Sequence, residues 1–136
     1  MIKNTINNLL ENIIEDENDP TRRNFRGWIN GGYGESMYHK HMKRIENAVT
    51  FKQLRSFVIE QFTSFIAREA GCSYGYAQKG IVNYYNHMDL LTGLNRGDSL
   101  AGLTYILVEE IDETFVQLNP DSLRAPVTEA GENAIV

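Results

Sequence analysis

Residues 50–71, TFKQLRSFVIEQFTSFIAREAG, are the stretch that decides the fold. Thr50 followed by Gln53 matches a capping box, in which each side chain hydrogen-bonds to the other residue's backbone N–H. Gly71 stands where helices commonly end in a left-handed residue. The pattern therefore predicts one long helix between these signals. Its apolar residues recur every three or four positions, as one buried face requires: Phe51, Leu54, Phe57, Val58, Phe62, Phe65 and Ile66.

Four more segments carry the same helical spacing. Residues 2–16 form an amphipathic N-terminal helix, residues 35–48 a short helix, and residues 74–94 a longer one weakened by two glycines. The last begins with Asp98 or Ser99 as its N-cap and ends before Asn119-Pro120. The expected core residues of the N-terminal, third and last of these helices are Ile2, Ile6, Leu9, Leu10, Ile13 and Ile14; Ile81, Val82, Tyr84, Tyr85, Met88 and Leu91; and Leu100, Leu103, Leu107, Ile111, Phe115 and Leu118.

Residues 21–34 interrupt this pattern. Four glycines fall within the eight positions 27–34, and glycine disfavours helix. Asn30-Gly31 is a strong hairpin signal, because both residues tolerate the positive φ of a type I′ turn. The segment is therefore predicted as a basic, irregular Gly-rich loop or as a short β-hairpin near residues 25–34.

Together these elements predict an all-α fold, a bundle of four to five helices. Residues 1–118 form one helical domain whose core lies in residues 35–118, because 136 residues suffice for a single hydrophobic core. The N-terminal helix and the loop read as additions to that core. Residues 119–136 lack aromatic residues and an apolar period, which predicts an extended or disordered tail.

The composition excludes several classes of protein. No apolar run reaches the roughly 18–20 residues that a membrane helix needs, and the N-terminus lacks a secretory signal. We therefore expect a cytoplasmic protein without a membrane partner. Cys72 is the single cysteine, which rules out an internal disulfide and is read as a buried or incidental thiol.

Charged residues are sorted into three blocks. Residues 1–20 carry one base and five acids, residues 21–80 ten bases and four acids, and residues 81–136 two bases and nine acids. A basic centre between acidic flanks predicts a site for an anionic partner, or pairing of the blocks within one chain or between copies. Because the apolar stripe of residues 2–14 also needs burial, we expect a homo-oligomer with the N-terminal helix in its interface.

The basic block mixes cations with aromatic residues. Cations neutralise phosphates and exposed rings stack on bases, so this segment, residues 22–55, suits nucleic acid or another polyanion. Alternatively, Phe25, Trp28 and Ile29 insert into the bundle and the cations surround them. The candidate binding residues are Arg22, Arg23, Arg26, Trp28, Tyr33, Tyr38, Lys40, Lys43 and Arg44.

The other polar clusters carry weaker signals. Glu109, Glu110, Asp112 and Glu113 form an acidic face for a basic partner, or a solvated one. His39 and His41 stand about 200° apart on a helix and cannot share a metal. His87 beside Tyr84, Tyr85 and Asp89 suggests an acid–base centre, although no catalytic, metal or cofactor motif is present. We expect neither a metal nor a cofactor.

These observations favour a non-enzymatic protein-interaction module. Small size, one domain and an extended tail are typical of regulators or inhibitors of other proteins and of assembly components, virus-encoded ones among them. Nucleic-acid or polyanion binding through residues 22–55 is the alternative, and a small enzyme using His87 is the third hypothesis.

Overall fold

Every element is helical in the computed structural model, which describes residues 5–15, 18–48 and 50–112, with only the backbone of residues 14 and 15. The predicted all-α class is thereby confirmed, and no hairpin or other strand occurs in these ranges. Six helices are seen there, more than the four to five predicted. They are α1 (Ile6–Glu15), α2 (Pro20–Ile29), α3 (Glu35–Asn47), α4 (Phe51–Ala70), α5 (Tyr74–Thr92) and α6 (Asp98–Val108).

Helix α4 is the centre of the molecule and contacts all the other helices. Its ends follow the sequence signals. Gln53 N donates to the Thr50 hydroxyl at 3.1 Å, Thr50 N donates to the Gln53 side chain at 3.0 Å, and Gly71 adopts a left-handed φ of 69°. All seven apolar residues predicted for its buried face are buried. The predicted core face of α4 is confirmed.

Helix α2 replaces most of the loop predicted for residues 21–34. The Asp19 carboxylate accepts a hydrogen bond from Thr21 N at 2.8 Å, and Pro20 occupies the first helical position, where its missing N–H costs nothing. Phe25 and Ile29, one turn apart, are fully buried. Only Gly27 falls inside the helix, so the roughly 1 kcal/mol that a helical glycine costs is offset by this packing.

A tight turn at residues 30–34 stands where the sequence suggested a hairpin. Gly31 N donates to Trp28 O at 3.1 Å and has φ +77°. A Cβ at Gly31 would overlap the backbone of Tyr38. Glycine at this position therefore lets α3 begin directly against the end of α2.

Helix α1 belongs to the core, which corrects its interpretation as an addition. Its residues Ile6, Leu9, Leu10 and Ile13 are buried, and it packs on α5, α2 and α4. The described part of the apolar stripe that suggested an oligomer interface is thus covered by the same chain. Ile2 and the side chain of Ile14 lie outside the described residues.

Helices α5 and α6 differ from the prediction in register and length. The buried face of α5 is Ala77, Ile81, Tyr85 and Asp89, whereas Val82 and Leu91, predicted as core, are exposed. Helix α6 ends at Val108 instead of continuing to residue 118, and its N-cap position is Gly97. Phe115, Leu118 and the predicted tail lie outside the described residues. None of the helices in the described ranges has the length and apolarity needed to cross a bilayer.

Candidate functional site

Two of the predicted binding residues, Arg22 and Arg26, meet at one carboxylate. Arg22 is buried, and its Nε and Nη2 donate to Glu110 Oε2 at 3.1 and 2.9 Å. Arg26 Nε donates to Glu110 Oε1 at 2.6 Å. Two cations of the basic block, the buried Arg22 and the exposed Arg26, are therefore paired within the chain with a member of the predicted acidic face.

Beside this ion pair, Asn30 of the α2–α3 turn binds the backbone that follows α6. Asn30 Nδ2 donates to Glu110 O at 2.9 Å, and Asn30 Oδ1 accepts from Asp112 N at 2.6 Å. Glu109 and Asp112 have exposed side chains, and Glu113 lies outside the described residues. The predicted acidic face is thus divided between an interior ion pair and the surface.

The aromatic members of the basic segment occupy different environments. Trp28 is buried, as the alternative interpretation of this segment anticipated, and its Nε1 donates to Gln61 Oε1 at 3.2 Å. Tyr38 is half-buried. Tyr33 is exposed, and the Arg68 guanidinium lies 4.4 Å from its ring centroid. The Trp28 and Tyr33 rings meet edge to face with centroids 5.3 Å apart, and burial of Trp28 leaves Tyr33 as the exposed ring of this pair.

His41 is fully buried between α2 and α4. Its Nδ1 lies 3.1 Å from Ile29 O and its Nε2 lies 3.0 Å from Gln61 Oε1. Both neighbours are acceptors, and a neutral imidazole can donate to only one of them. Burial lowers the pKa of His41 below 6.5, although these two acceptors oppose the shift. His41 is therefore a structural group linking three helices.

The remaining cations of the predicted site, Arg23, Lys40, Lys43 and Arg44, are exposed. Arg44 pairs with Glu60 at 3.1 Å, and its guanidinium lies 5.1 Å from the Phe57 ring centroid. An exposed pair of this kind contributes little to stability. The exposed cations that remain for a polyanion are thus fewer than the sequence suggested.

The polar cluster around His87 is not assembled as a catalytic centre. His87 is exposed, whereas Asp89 is buried and turned toward the start of α6. The Asp89 carboxylate accepts from Gly97 N at 2.7 Å and from Ser99 N at 2.8 Å. Hydrogen bonding from the Ser99 side chain and these backbone groups lowers the pKa of Asp89. Within the described ranges, no three His, Cys, Asp or Glu residues are placed to hold a metal ion.

The junction between α5 and α6 carries the feature that sequence reasoning missed. Leu90, Leu91 and Leu94 are 81%, 67% and 51% exposed, and we call them the leucine surface. Every other leucine or isoleucine whose side chain the structure describes is buried or half-buried. Neighbouring exposed leucines of this kind make the α5–α6 junction a candidate interaction site.

Hydrogen bonds at the end of α5 and at the start of α6 hold the backbone of the leucine surface. Helix α5 stops at Gly93 in the left-handed region, and Leu94 N donates to Asp89 O at 3.0 Å. The Asp89 side chain then holds the first residues of α6, so the turn is tied at both ends. Beside it lies an open cleft of about 360 Å³ lined by Asn86, Asp89, Leu90, Leu94 and Arg96.

This arrangement can receive an apolar side chain next to an anionic group. Leu90 and Leu94 supply apolar walls, and the exposed Arg96 supplies a cation at the rim. The signal was present in the sequence: once Ile81, Tyr85 and Asp89 face the core at four-residue intervals, the neighbouring leucines must face outward.

Comparisons with known protein families, with characterised proteins and with solved structures find no match to this chain.

Proposed function

We propose that the protein is a non-enzymatic interaction module, a regulator of another protein or a component of an assembly, which binds its partner through the leucine surface. One observation carries the proposal: Leu90, Leu91 and Leu94 are exposed while the other described leucines and isoleucines are not. Burying a leucine side chain is worth about 1.5–3 kcal/mol. Covering the exposed parts of all three supports a specific association.

Hydrogen bonds within the chain hold the backbone that carries the site. Asp89 holds the α5–α6 turn through Gly97 and Ser99, which supports a fixed spacing of the three leucines before a partner binds. A pre-organised surface loses little conformational entropy on association. This favours a docking surface over an incidental exposed end.

The chemistry of the cleft points to one kind of occupant, an apolar segment of a partner protein with a carboxylate beside it. Leu90 and Leu94 match the apolar part, and Arg96 matches the carboxylate. A second copy of this chain is an outcome that the test distinguishes. If the protein is a homo-oligomer, its interface falls on the leucine surface, because α1 buries its stripe internally.

The test compares two variants of the full chain. L90Q/L94Q removes the apolar contact from the end of α5, and Y76Q is a matched control because Tyr76 is equally exposed near the start of α5. Chemical crosslinking in extract of the native host is read by mass spectrometry, and light scattering gives the mass of the purified protein.

We expect crosslinked partners, or a dimer mass, with wild type and Y76Q but not with L90Q/L94Q. A dimer identifies the occupant as a second copy. The same crosslinked proteins and the same mass in all three chains would refute the proposal.

Polyanion binding is the second candidate, supported by the exposure of Arg23, Lys40 and Lys43. Each phosphate that such a cation neutralises releases a counterion, so affinity should fall steeply with salt. Fluorescence anisotropy with single- and double-stranded oligonucleotides at two salt concentrations measures this. Absence of binding at the lower salt concentration rejects the candidate.

Catalysis at His87 is the third hypothesis. The Asp89 carboxylate accepts hydrogen bonds from the start of α6 and is not available as a partner for His87.

A further inference from the structure

The turn between α2 and α3 contains a reactive pair, Asn30-Gly31, and Asn30 is the only asparagine in the sequence that a glycine follows. Asparagine before glycine loses its side-chain amide readily, because glycine has no side chain to hinder its backbone nitrogen. That nitrogen loses its proton to solvent and bonds to Cγ of Asn30, and the amide nitrogen takes up a proton and leaves as ammonia. Water then opens the five-membered ring at either carbonyl, which leaves aspartate or isoaspartate.

The folded backbone keeps the reacting atoms apart. Asn30 has a ψ of 12°, so the Gly31 nitrogen is nearly eclipsed with the nitrogen of Asn30 and is turned away from Cβ. Ring closure requires rotation of the Gly31 nitrogen toward Cβ. Gly31 N also donates to Trp28 O at 3.1 Å, and Gly31 lies so close to the backbone of Tyr38 that no Cβ would fit. The turn must therefore open before the ring can form.

The side-chain amide of Asn30 is held by backbone groups on both sides. Its Nδ2 donates to Arg26 O in α2 at 2.8 Å and to Glu110 O beyond the end of α6 at 2.9 Å. Its Oδ1 accepts from Asp112 N at 2.6 Å. Both hydrogens of the nitrogen that must leave are thus engaged. Release of the chain after α6 would free one of them.

The product of the reaction cannot make the same contacts. In aspartate an oxygen replaces the NH₂ group, and this oxygen would face the main-chain oxygens of Arg26 and Glu110 as a third acceptor. Isoaspartate adds a methylene to the main chain directly before Gly31, where the approach of Tyr38 leaves no room. Loss of both donated hydrogen bonds leaves two carbonyl groups without this partner. A reacted chain is therefore disfavoured from closing the turn again.

From these features we infer that Asn30-Gly31 is a deamidation site guarded by the fold. It reacts while the α2–α3 turn and the chain after α6 are open, and the reacted chain does not restore their contact. The site makes a reversible local opening permanent. The reaction consumes only water, and the inference does not depend on the proposed protein-binding function.

The first test follows deamidation of the full chain at mildly alkaline pH, with and without guanidinium chloride, by peptide mass spectrometry. Asn24 is the internal reference, because it is exposed on α2 and the bulky Phe25 after it hinders ring closure. In denaturant Asn30 should react faster than Asn24. In the folded chain Asn30 should react at least about ten-fold more slowly than in denaturant, because only the open fraction reacts. Equal Asn30 rates in the two conditions would overturn the inference.

The second test opens the site from α6. E110Q removes the carboxylate that binds Arg22 and Arg26 but keeps the main-chain oxygen that Asn30 binds. Under native conditions it should speed deamidation of Asn30 several-fold. E60Q, which breaks an exposed ion pair, should react at the wild-type rate. Circular dichroism checks that both variants fold, and equal rates in the two would contradict the link to α6.

The third test measures the effect of the product. N30D should lower the midpoint of denaturant unfolding relative to wild type, because its carboxylate cannot donate to the two carbonyl groups. N24D is the matched control, since it adds the same charge at an exposed position of α2. It should keep the wild-type midpoint. If N30D unfolds at the same midpoint as N24D, reaction at Asn30 does not prevent closure and the inference fails.

Discussion

Glu110 shows at the scale of one residue how the charge blocks are used. Its carboxylate accepts from two guanidinium groups, and the pair with Arg22 is buried. The sequence showed that the blocks had opposite signs, but it could not show which residues pair. That pairing depends on α6 ending beside α2, which no local pattern encodes.

We expect Glu110→Gln to destabilise the protein by about 3 kcal/mol, because it leaves the buried Arg22 guanidinium without a compensating charge. Glu60→Gln is the matched control, since it breaks the exposed pair with Arg44 and should cost at most about 1 kcal/mol. Urea denaturation gives both free energies of unfolding. Equal losses in the two variants would contradict the buried role of Glu110.

At the scale of elements, α4 and α2 show what sequence reasoning does well and where it fails. The capping box at Thr50 and the apolar period of α4 are local, and the structure confirms both. Helix α2 was missed because the glycines of residues 27–34 were weighed together, although only Gly27 lies inside the helix. The start signal Asp19-Pro20 was present, and Phe25 and Ile29 already had helical spacing.

The α2–α3 turn depends on Gly31, so we expect Gly31→Ala to cost about 3 kcal/mol or more. A methyl group there would be strained at φ +77° and would also overlap Tyr38, which must move. Gly71→Ala is the control, because Gly71 has a similar φ of +69° but open space around it. That variant should lose about 1 kcal/mol from backbone strain alone.

Thermal and urea unfolding of the two glycine variants measure the difference. A Gly31→Ala protein as stable as Gly71→Ala would mean that α3 does not approach α2 this closely.

At the scale of the whole molecule, the interior was more predictable than the surface. The apolar stripes of α1 and α4 identified core residues because burial follows helical period. The exposed apolar residues were harder to predict from the sequence, because Leu91 was assigned to the core and Leu90 and Leu94 were not considered. Their exposure follows from Asp89 occupying a core position, where it holds the α5–α6 turn.

His41 makes the stability of the whole fold depend on pH. Its pKa is lowered in the folded state, so below pH 6.5 the unfolded chain binds more protons at this residue than the folded chain does. Stability should therefore fall as the pH falls through 6.5 toward the folded pKa. The effect vanishes well above pH 6.5, where His41 is neutral in both states.

Urea unfolding at several pH values between about 5.5 and 7.5 measures this slope. His41→Gln should reduce it, whereas His39→Gln, on the exposed side of α3, should keep it. An NMR titration of the wild-type chain with a midpoint for His41 at or above 6.5 would contradict the expectation.

The ion pair between Arg22 and Glu110 also has a consequence for biosynthesis. Its partners are separated by 88 positions along the chain. At about 5–20 residues per second, roughly 4–18 s of translation pass between the two codons. A nascent chain that ends before Glu110 contains α2 but lacks the carboxylate that pairs with Arg22 in the folded protein. We therefore expect the packing of α2 to be completed only after Glu110 has been synthesised.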